Sequence, residues 1–496
     1  MLDHDSQEQT LTNLDLAYMD AATALQLFAD KKLSPVELLE AQIERANDVE
    51  PHVNAFAFEH FDEALAAAKE SARRYANGNP KPLDGITVAL KDEHDRAGWK
   101  TTCGSLITKD NVASTNDPIV DKLLDAGAIL HAQTTVPEMY FAGVTWTRLL
   151  GMTRTPWNLA YGGGGSSGGS GAALAAGTTT MATGSDMGGS IRIPAAFNGL
   201  YGFKPPYGRV PLAPHSVFLF PSTSGPLARC FDDMVRLQNV ISGPAPRVAT
   251  SLRPKLELPT RYDGIAGWRI AYSPDQSWAE VDPAVVRNTE RALEVLEGQG
   301  AIVEEVDLDL GVDGQDIRDA ISKALLHGAF GADVASLLDY SDQLTSYGRY
   351  FAEAAAKGMG PTQALEAANF INDVYARLEA KVFLNGYKAL VMPTLATPYV
   401  RADFDPVNDQ MLVNGNEVEP NAGWSLTALF NLLNWNPVIS VPTGLADKNM
   451  PTGMQIISET YDDVTAMQVA SAYASAAPAL FAGRAFPDFR SDDQTP

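Results

Sequence analysis

Two clusters in this chain set serine hydroxyls among bare backbone. Gly162–Gly171 reads GGGGSSGGSG and Gly184–Ser190 reads GSDMGGS. Glycine loses more conformational freedom on folding than any other residue, so two such clusters need a reason. Acyl transfer supplies one, because it needs a hydroxyl nucleophile beside N–H donors that can hold an oxyanion. Ser190 stands just before Ile191–Asn198, which reads as a helix. The unpaired N–H groups of a helix N-terminus stabilise developing negative charge. Gly188 and Gly189 would let the backbone aim its N–H groups at one point, as an oxyanion hole requires.

A serine nucleophile also needs a base. The seven histidines are His4, His52, His60, His94, His131, His215 and His327. None sits in a motif that marks a Ser-His partner. A buried lysine can serve, because desolvation disfavours its ammonium form. The best candidate is Lys91, which ends the apolar run ITVAL. A lone lysine after a strand is usually a solvated strand end, and spacing alone does not select it.

The elements that must hold these residues alternate between helix and strand. Ser34-Pro35-Val36-Glu37 reads as a helix start, with Ser34 as N-cap, Pro35 at the first position and Glu37 closing a capping box. Leu83–Lys91 predicts a turn and a short apolar strand. Ile119–Ala126 predicts a helix and Ala128–Thr134 a strand. Ser170–Gly177 predicts a helix of small residues, Thr178–Ala182 favours β structure, and a loop is expected from Gly184 to Ser190. Asp282–Glu297 predicts an amphipathic helix ahead of the strand Ala301–Val306. Lys388–Met392 and Val438–Val441 read as buried strands, each stopped by proline. Met454–Ile457 is a further strand, and Asp463–Ala476 a last helix. This pattern predicts an α/β fold with a central mixed, twisted β-sheet flanked by helices on both sides. Residues 1–15 read as a mobile segment and 16–496 as a single domain. Within it, 83–230 carries the chemistry, and 311–385 reads as a helical insertion placed to cap the substrate site.

Composition limits the functions available. The chain has 496 residues, 45% of them hydrophobic, enough for a large core. Its formal net charge is −24, with no Lys/Arg-rich block, so nucleic acid is not an expected partner. Two cysteines, Cys103 and Cys230, cannot build a thiolate zinc site. No apolar run reaches the about 18 residues of a membrane span, and the N-terminus does not read as a secretory signal. The expectation is a cytoplasmic protein, monomer or homodimer, without metal or cofactor.

The run GGSSGGSGAALAAG…GSDMGGSIRIPAAFNGLYGFKP resembles the signature of the amidase signature family of serine hydrolases. LDGITVALKD resembles the family's lysine strand. TTCGS, LLDAGAIL, TTVPEM, STSGPLAR, KALVMPT and NPVISVPTGL…MPTGMQII follow in the order of the family. The resemblance implies a Ser–cis-Ser–Lys triad with Ser190 as nucleophile, Ser166 as bridging serine 24 positions earlier, and Lys91 as base. It implies oxyanion donors at the backbone N–H groups of Met187, Gly188, Gly189 and Ser190. It gives Asp186, Arg192, Ser185 and Ser167 supporting positions, and it implies a cis bond before Ser166. Four positions depart from the family pattern: Ser185 for Thr, Met187 for Thr, Asn198 for Cys and Gly163 for Pro. None removes a catalytic group.

The segment Pro206–Ser224 is rich in proline and aromatics and reads as a loop over the pocket. Phe218, Phe220, Tyr140, Phe141, Trp146 and Trp424 are pocket candidates, each with core packing as its plainer reading. Arg209 could steer a polar group, or be an exposed loop arginine. Within the family, the aromatic loop looks like aryl-acylamidase and urethanase-type members. That implies hydrolysis of small amides, with carbamates as an extension. Two other readings remain open. One is the A subunit of a tRNA-dependent glutamine amidotransferase. The other is a non-catalytic homologue whose Gly/Ser loops hold an anion.

Overall fold

The computed structural model describes residues 11–212, 219–326, 329–421, 423–481, 486–487 and 489. An eleven-stranded mixed sheet runs through the molecule. In chain order its strands are β1 (Phe56–Glu59), β2 (Thr87–Lys91), β3 (Ile129–Thr134), β4 (Met181–Asp186), β5 (Tyr201–Lys204), β6 (Thr223–Ala228), β7 (Arg269–Tyr272), β8 (Ile302–Glu305), β9 (Ala389–Pro393), β10 (Val438–Leu445) and β11 (Pro451–Ile457). Across the sheet they lie in the order β1-β3-β2-β4-β6-β5-β10-β11-β9-β7-β8. Strands β3, β2 and β4 are parallel, as are β9, β7 and β8. The strands from β4 through β6, β5, β10 and β11 to β9 pair antiparallel.

Helices pack on the sheet through apolar faces. One core gathers Leu38, Val88, Leu90, Ile119 and Leu130 on the β2–β3 side. Another gathers Phe203, Ile270, Val391, Ile439 and Met467 on the β5–β9 side. The helix Pro35–Val53 begins as its sequence dictates: Ser34 Oγ accepts from Glu37 N, and the Glu37 carboxylate accepts from Ser34 N. The helices Pro118–Asp125, Pro283–Gly298 and Asp463–Ala476 fall where periodicity sets them. In the stretch 1–15, Thr12 caps a short helix, Asn13–Ala17, and residues 1–10 lie outside the described part. Between 311 and 385 lie the helices Gly314–Leu325, Ala329–Ser336, Ser346–Ala356 and Pro361–Lys381.

Three expectations about strands fail, each for a reason in the pairing. The chain does not leave β structure at Gly184. β4 continues to Asp186 because Gly184, Ser185 and Asp186 pair with Gly225, Ser224 and Thr223 of β6. β5 and β6 went unpredicted; β6 is TSGPLA, with a proline inside. Pro226 is tolerated because the β5–β6 pairing covers only Leu227 and Ala228, so its missing N–H costs no bond on that side. β9 ends at Pro393 as expected, but Pro442 does not stop β10; the ladder absorbs it through an irregularity between Pro442 and Gly444.

Candidate active site

Strands β2 and β4 are parallel neighbours, so Lys91 and Asp186 emerge together at their carboxyl ends. In open α/β sheets that edge is where ligands bind. The Gly/Ser loop comes to the same edge. Ser167 N donates to the Ser190 carbonyl at 3.2 Å, which brings Ser166 and Ser190 side by side. The Gly165–Ser166 peptide is cis. Gly165 has no alternative: a Cβ there would lie 2.7 Å from the Ala142 carbonyl oxygen and 2.8 Å from Val144 N. Behind the serines, the helix Gly168–Ala176 is buried along its whole length.

Lys91 is fully buried, not a solvated strand end. Its Nζ lies 2.8 Å from Ser166 Oγ, 2.7 Å from Ser185 Oγ and 2.9 Å from Glu93 Oε2. Burial lowers the Lys91 pKa, and the Glu93 carboxylate works against that shift. Burial alone would raise the Glu93 carboxyl, but the Lys91 and His94 charges and the hydrogen bonds from Ser185 and Lys91 together outweigh it, and the net shift is downward. Among the hydrogen bonds of the described residues, Lys91–Ser166 is formed and Ser166 Oγ–Ser190 Oγ is not. Catalytic hydrogen bonds are often loose in a free enzyme and tighten with substrate.

The loop after β4 is fixed by a buried ion pair. Arg192 Nε and Nη2 donate to Asp186 Oδ2 at 3.0 Å and Oδ1 at 2.9 Å. Both side chains are fully buried. The remaining donors of Arg192 meet the Thr427 carbonyl, Gln455 and Asn431. Burial would raise the Asp186 carboxyl, but Arg192 and the surrounding hydrogen bonds outweigh it and hold it well below the usual carboxylate range. Asp186 also accepts from the backbone N–H groups of Gly189, at 2.8 Å, and Ile191. The Gly189 N–H, expected as an oxyanion donor, is therefore engaged by Asp186. Met187, Gly188 and Ser190 carry the other three expected donors. Gly189 has φ +130°, and a Cβ there would meet Thr427 Oγ1 at 2.0 Å. At Gly188 a Cβ would meet nothing within 4 Å, so the loop faces open space there.

Ser185 and Ser167 join the end of β4 to the Gly/Ser loop. Ser167 Oγ accepts from Ser185 N at 3.3 Å and donates to the Ser185 carbonyl at 3.4 Å. The departures Asn198 and Gly163 meet each other: Asn198 Nδ2 donates to the Gly163 carbonyl at 2.9 Å.

The pocket candidates separate. Tyr140 stands at the site, its ring 5.2 Å from Lys91 Nζ. Phe141 packs on Phe351 of the helix Ser346–Ala356. Trp146 donates from Nε1 to the Phe404 carbonyl at 2.8 Å and packs edge-on to Tyr347. Trp424 is buried against Phe197 and donates to the Pro420 carbonyl, so it is core. Arg209 is no free loop arginine: it donates to both oxygens of the buried Asp463, at 3.0 and 2.8 Å. Phe220 packs on Trp435 and Tyr207. Phe218 lies outside the described residues.

Sequence reasoning missed Glu93, Thr427, Asn431 and Gln455. Glu93 had a signal, because it follows Lys91 by two positions. A tight turn, Glu93 N donating to the Lys91 carbonyl at 2.6 Å, folds it back over the lysine. The other three come from β11 and the segment before β10, with no local mark. Among the described residues, no group of three or more His, Cys, Asp or Glu could hold a metal ion, and no helix is long and apolar enough to cross a membrane.

A family model described as Amidase matches residues 37–467. The chain is 31% identical to an acylamidase of Rhodococcus erythropolis, over 94% of this chain and 97% of that one. It is equally 31% identical to the A subunit of the glutamyl-tRNA(Gln) amidotransferase of Carboxydothermus hydrogenoformans, over 93% and 97%. Among solved structures, a bacterial aryl acylamidase superposes with a TM-score of 0.85 at 29% identity, covering 94% of this chain and 99% of that one. The chain belongs to the amidase signature family.

Proposed function

We propose that the protein hydrolyses the carbon–nitrogen bond of small amides through a covalent acyl-enzyme on Ser190. The observation that carries this reading is the fully buried Lys91 amine, 2.8 Å from Ser166 Oγ, beside a loop of backbone donors. Ser190 gives its proton to Ser166 as Ser166 gives its own to neutral Lys91. Ser190 Oγ attacks the carbonyl, and the N–H groups of Met187, Gly188 and Ser190 hold the oxyanion. The leaving amine takes its proton back through Ser166, and water then releases the acid. Substrate enters over Gly188, where the loop is open, and meets the Tyr140 ring.

Anilides and other aryl amides are the substrates this reading favours, given Tyr140 and the similarity to two acylamidases. Carbamates extend it, because attack at a carbonyl flanked by O and N gives the same tetrahedral geometry. The helices between 311 and 385 cap the site through Phe351 and Tyr347, which touch the 138–147 segment. No metal or cofactor takes part in these steps. A second reading, the A subunit of a glutamine amidotransferase, has the 31% identity to such a protein in its favour.

The test is hydrolysis of anilides, primary amides, aryl carbamates and glutamine by wild type, Ser190→Ala, Ser166→Ala and Lys91→Ala. Removal of a nucleophile or base from such a unit should lower kcat by about 10⁴- to 10⁶-fold. Full activity in Ser190→Ala overturns the mechanism. Preference for glutamine over every anilide favours the second reading.

A further inference from the structure

We propose that Glu93 is a positioning residue of this site, aiming the lone pair of the neutral Lys91 amine at Ser166 and compensating the ammonium formed when Lys91 takes the proton. The inference rests on the Ser190–Ser166–Lys91 reading above.

The hydrogen bonds around Nζ support it. A neutral amine has two N–H groups and one lone pair. Three oxygens surround it: Ser166 Oγ, Ser185 Oγ and Glu93 Oε2, at 2.8, 2.7 and 2.9 Å. An ionised carboxylate can only accept, so Glu93 takes one N–H. Ser185 Oγ is 2.5 Å from the same Glu93 oxygen, and only the hydroxyl can donate there. The Ser185 proton is thereby committed to Glu93, and toward Lys91 Ser185 can only accept. It takes the second N–H. The lone pair is left facing Ser166, the one neighbour whose proton is free to move. When it moves, the Ser166 O–H bond breaks and a third N–H bond forms. Ser166 receives the Ser190 proton in turn. The new ammonium then has three donors for three acceptors and a carboxylate beside its charge. Without the Glu93 carboxylate, Ser185 is free to donate to Lys91 and occupy the lone pair.

Other groups face the pair. Asp186 at the end of β4 acts on Lys91 but is bound to Arg192, and Cys103 and the Tyr140 ring lie on neighbouring loops. His94 acts on Glu93, and its Nδ1 is 3.7 Å from Asp117. Of these, Glu93 is the carboxylate in direct contact with Nζ.

The sign of the pH effect follows. The Glu93 charge raises the Lys91 pKa against the effect of burial. Removing that charge keeps the lysine neutral to lower pH. In Glu93→Gln, the acid limb of kcat/KM against pH should move to lower pH by about 1 unit or more. Plateau kcat should fall about 10- to 100-fold, since the ammonium is no longer compensated. Glu93→Asp keeps the charge, and its acid limb should stay within about 0.3 unit of wild type. A folded Glu93→Gln whose acid limb does not move overturns the assignment, whatever its plateau. If Glu93→Gln does not fold, Ser185→Ala decides: its plateau should fall while the acid limb is not lowered, and an unchanged plateau contradicts the orienting network. Wild-type activity in Lys91→Ala would instead sink the triad and Glu93 together. An inactive Lys91→Ala with an unmoved limb in Glu93→Gln removes Glu93 alone.

Discussion

Asp186 and Arg192 sit under the Ser190 loop with no exposed surface on either side chain. Two charges taken out of water are tolerated only while they stay paired and hydrogen-bonded. Here each guanidinium nitrogen has an acceptor, and the carboxylate also ties down Gly189 and Ile191. Arg192→Met should therefore cost about 3–5 kcal/mol at neutral pH, measured by urea unfolding, because Asp186 is left buried and unpaired. The pH dependence is fixed by the depressed Asp186 pKa. A carboxyl held below its unfolded value contributes stability that is complete above about pH 4 and is lost as pH falls through its folded value. The Arg192→Met deficit should accordingly shrink in strong acid. At this scale the serines and their glycines were legible, since close backbone approach leaves a compositional mark. Glu93 was legible only through its place two positions after Lys91, since Lys-Asp-Glu-His-Asp otherwise reads as a solvated charge run until the turn folds it back. Arg209 misled for a different reason: its partner Asp463 is 254 positions away.

Among the elements, those with local punctuation were legible and those defined by pairing were not. Ser34-Pro-Val-Glu marks a helix start by itself. TSGPLA becomes β6 only because β4 lies beside it over six residues. The contact between the helix Ser346–Ala356 and the 138–147 segment is of the second kind. Glu138 accepts from Ser105 Oγ, Thr345 N and Thr345 Oγ1 at 2.7–2.8 Å. Tyr347 OH accepts from Glu138 N at 2.9 Å and donates to the Trp146 carbonyl at 2.5 Å. This clamp holds the segment that carries Tyr140. Tyr347→Phe strands a buried N–H and a carbonyl, a loss of about 1–3 kcal/mol in chemical denaturation. If the segment positions Tyr140 for substrate, KM for anilides should rise in the same variant. An unchanged KM with reduced stability would confine the clamp to folding.

For the molecule as a whole, the sheet brings β2 and β4 side by side so that Lys91 and the Ser190 loop share one edge. The α/β class with a mixed sheet follows from the helix–strand alternation, whereas the strand order depends on partners far apart in the chain. The site draws on residues from Lys91 to Gln455, all supplied by this one chain. On the acylamidase reading, the protein purified alone should hydrolyse anilides at full rate, with no gain from added tRNA or the other amidotransferase components. Activity that appears only with those components present would contradict this.

In the proposed mechanism Ser190 is the nucleophile and Lys91 makes it one. Intact-mass and peptide spectra after treatment with a fluorophosphonate test it most directly. One adduct per chain is expected, on Ser190, with labelling abolished in Ser190→Ala and strongly slowed in Lys91→Ala. An adduct on another residue, or equal labelling of the Lys91→Ala variant, would contradict it.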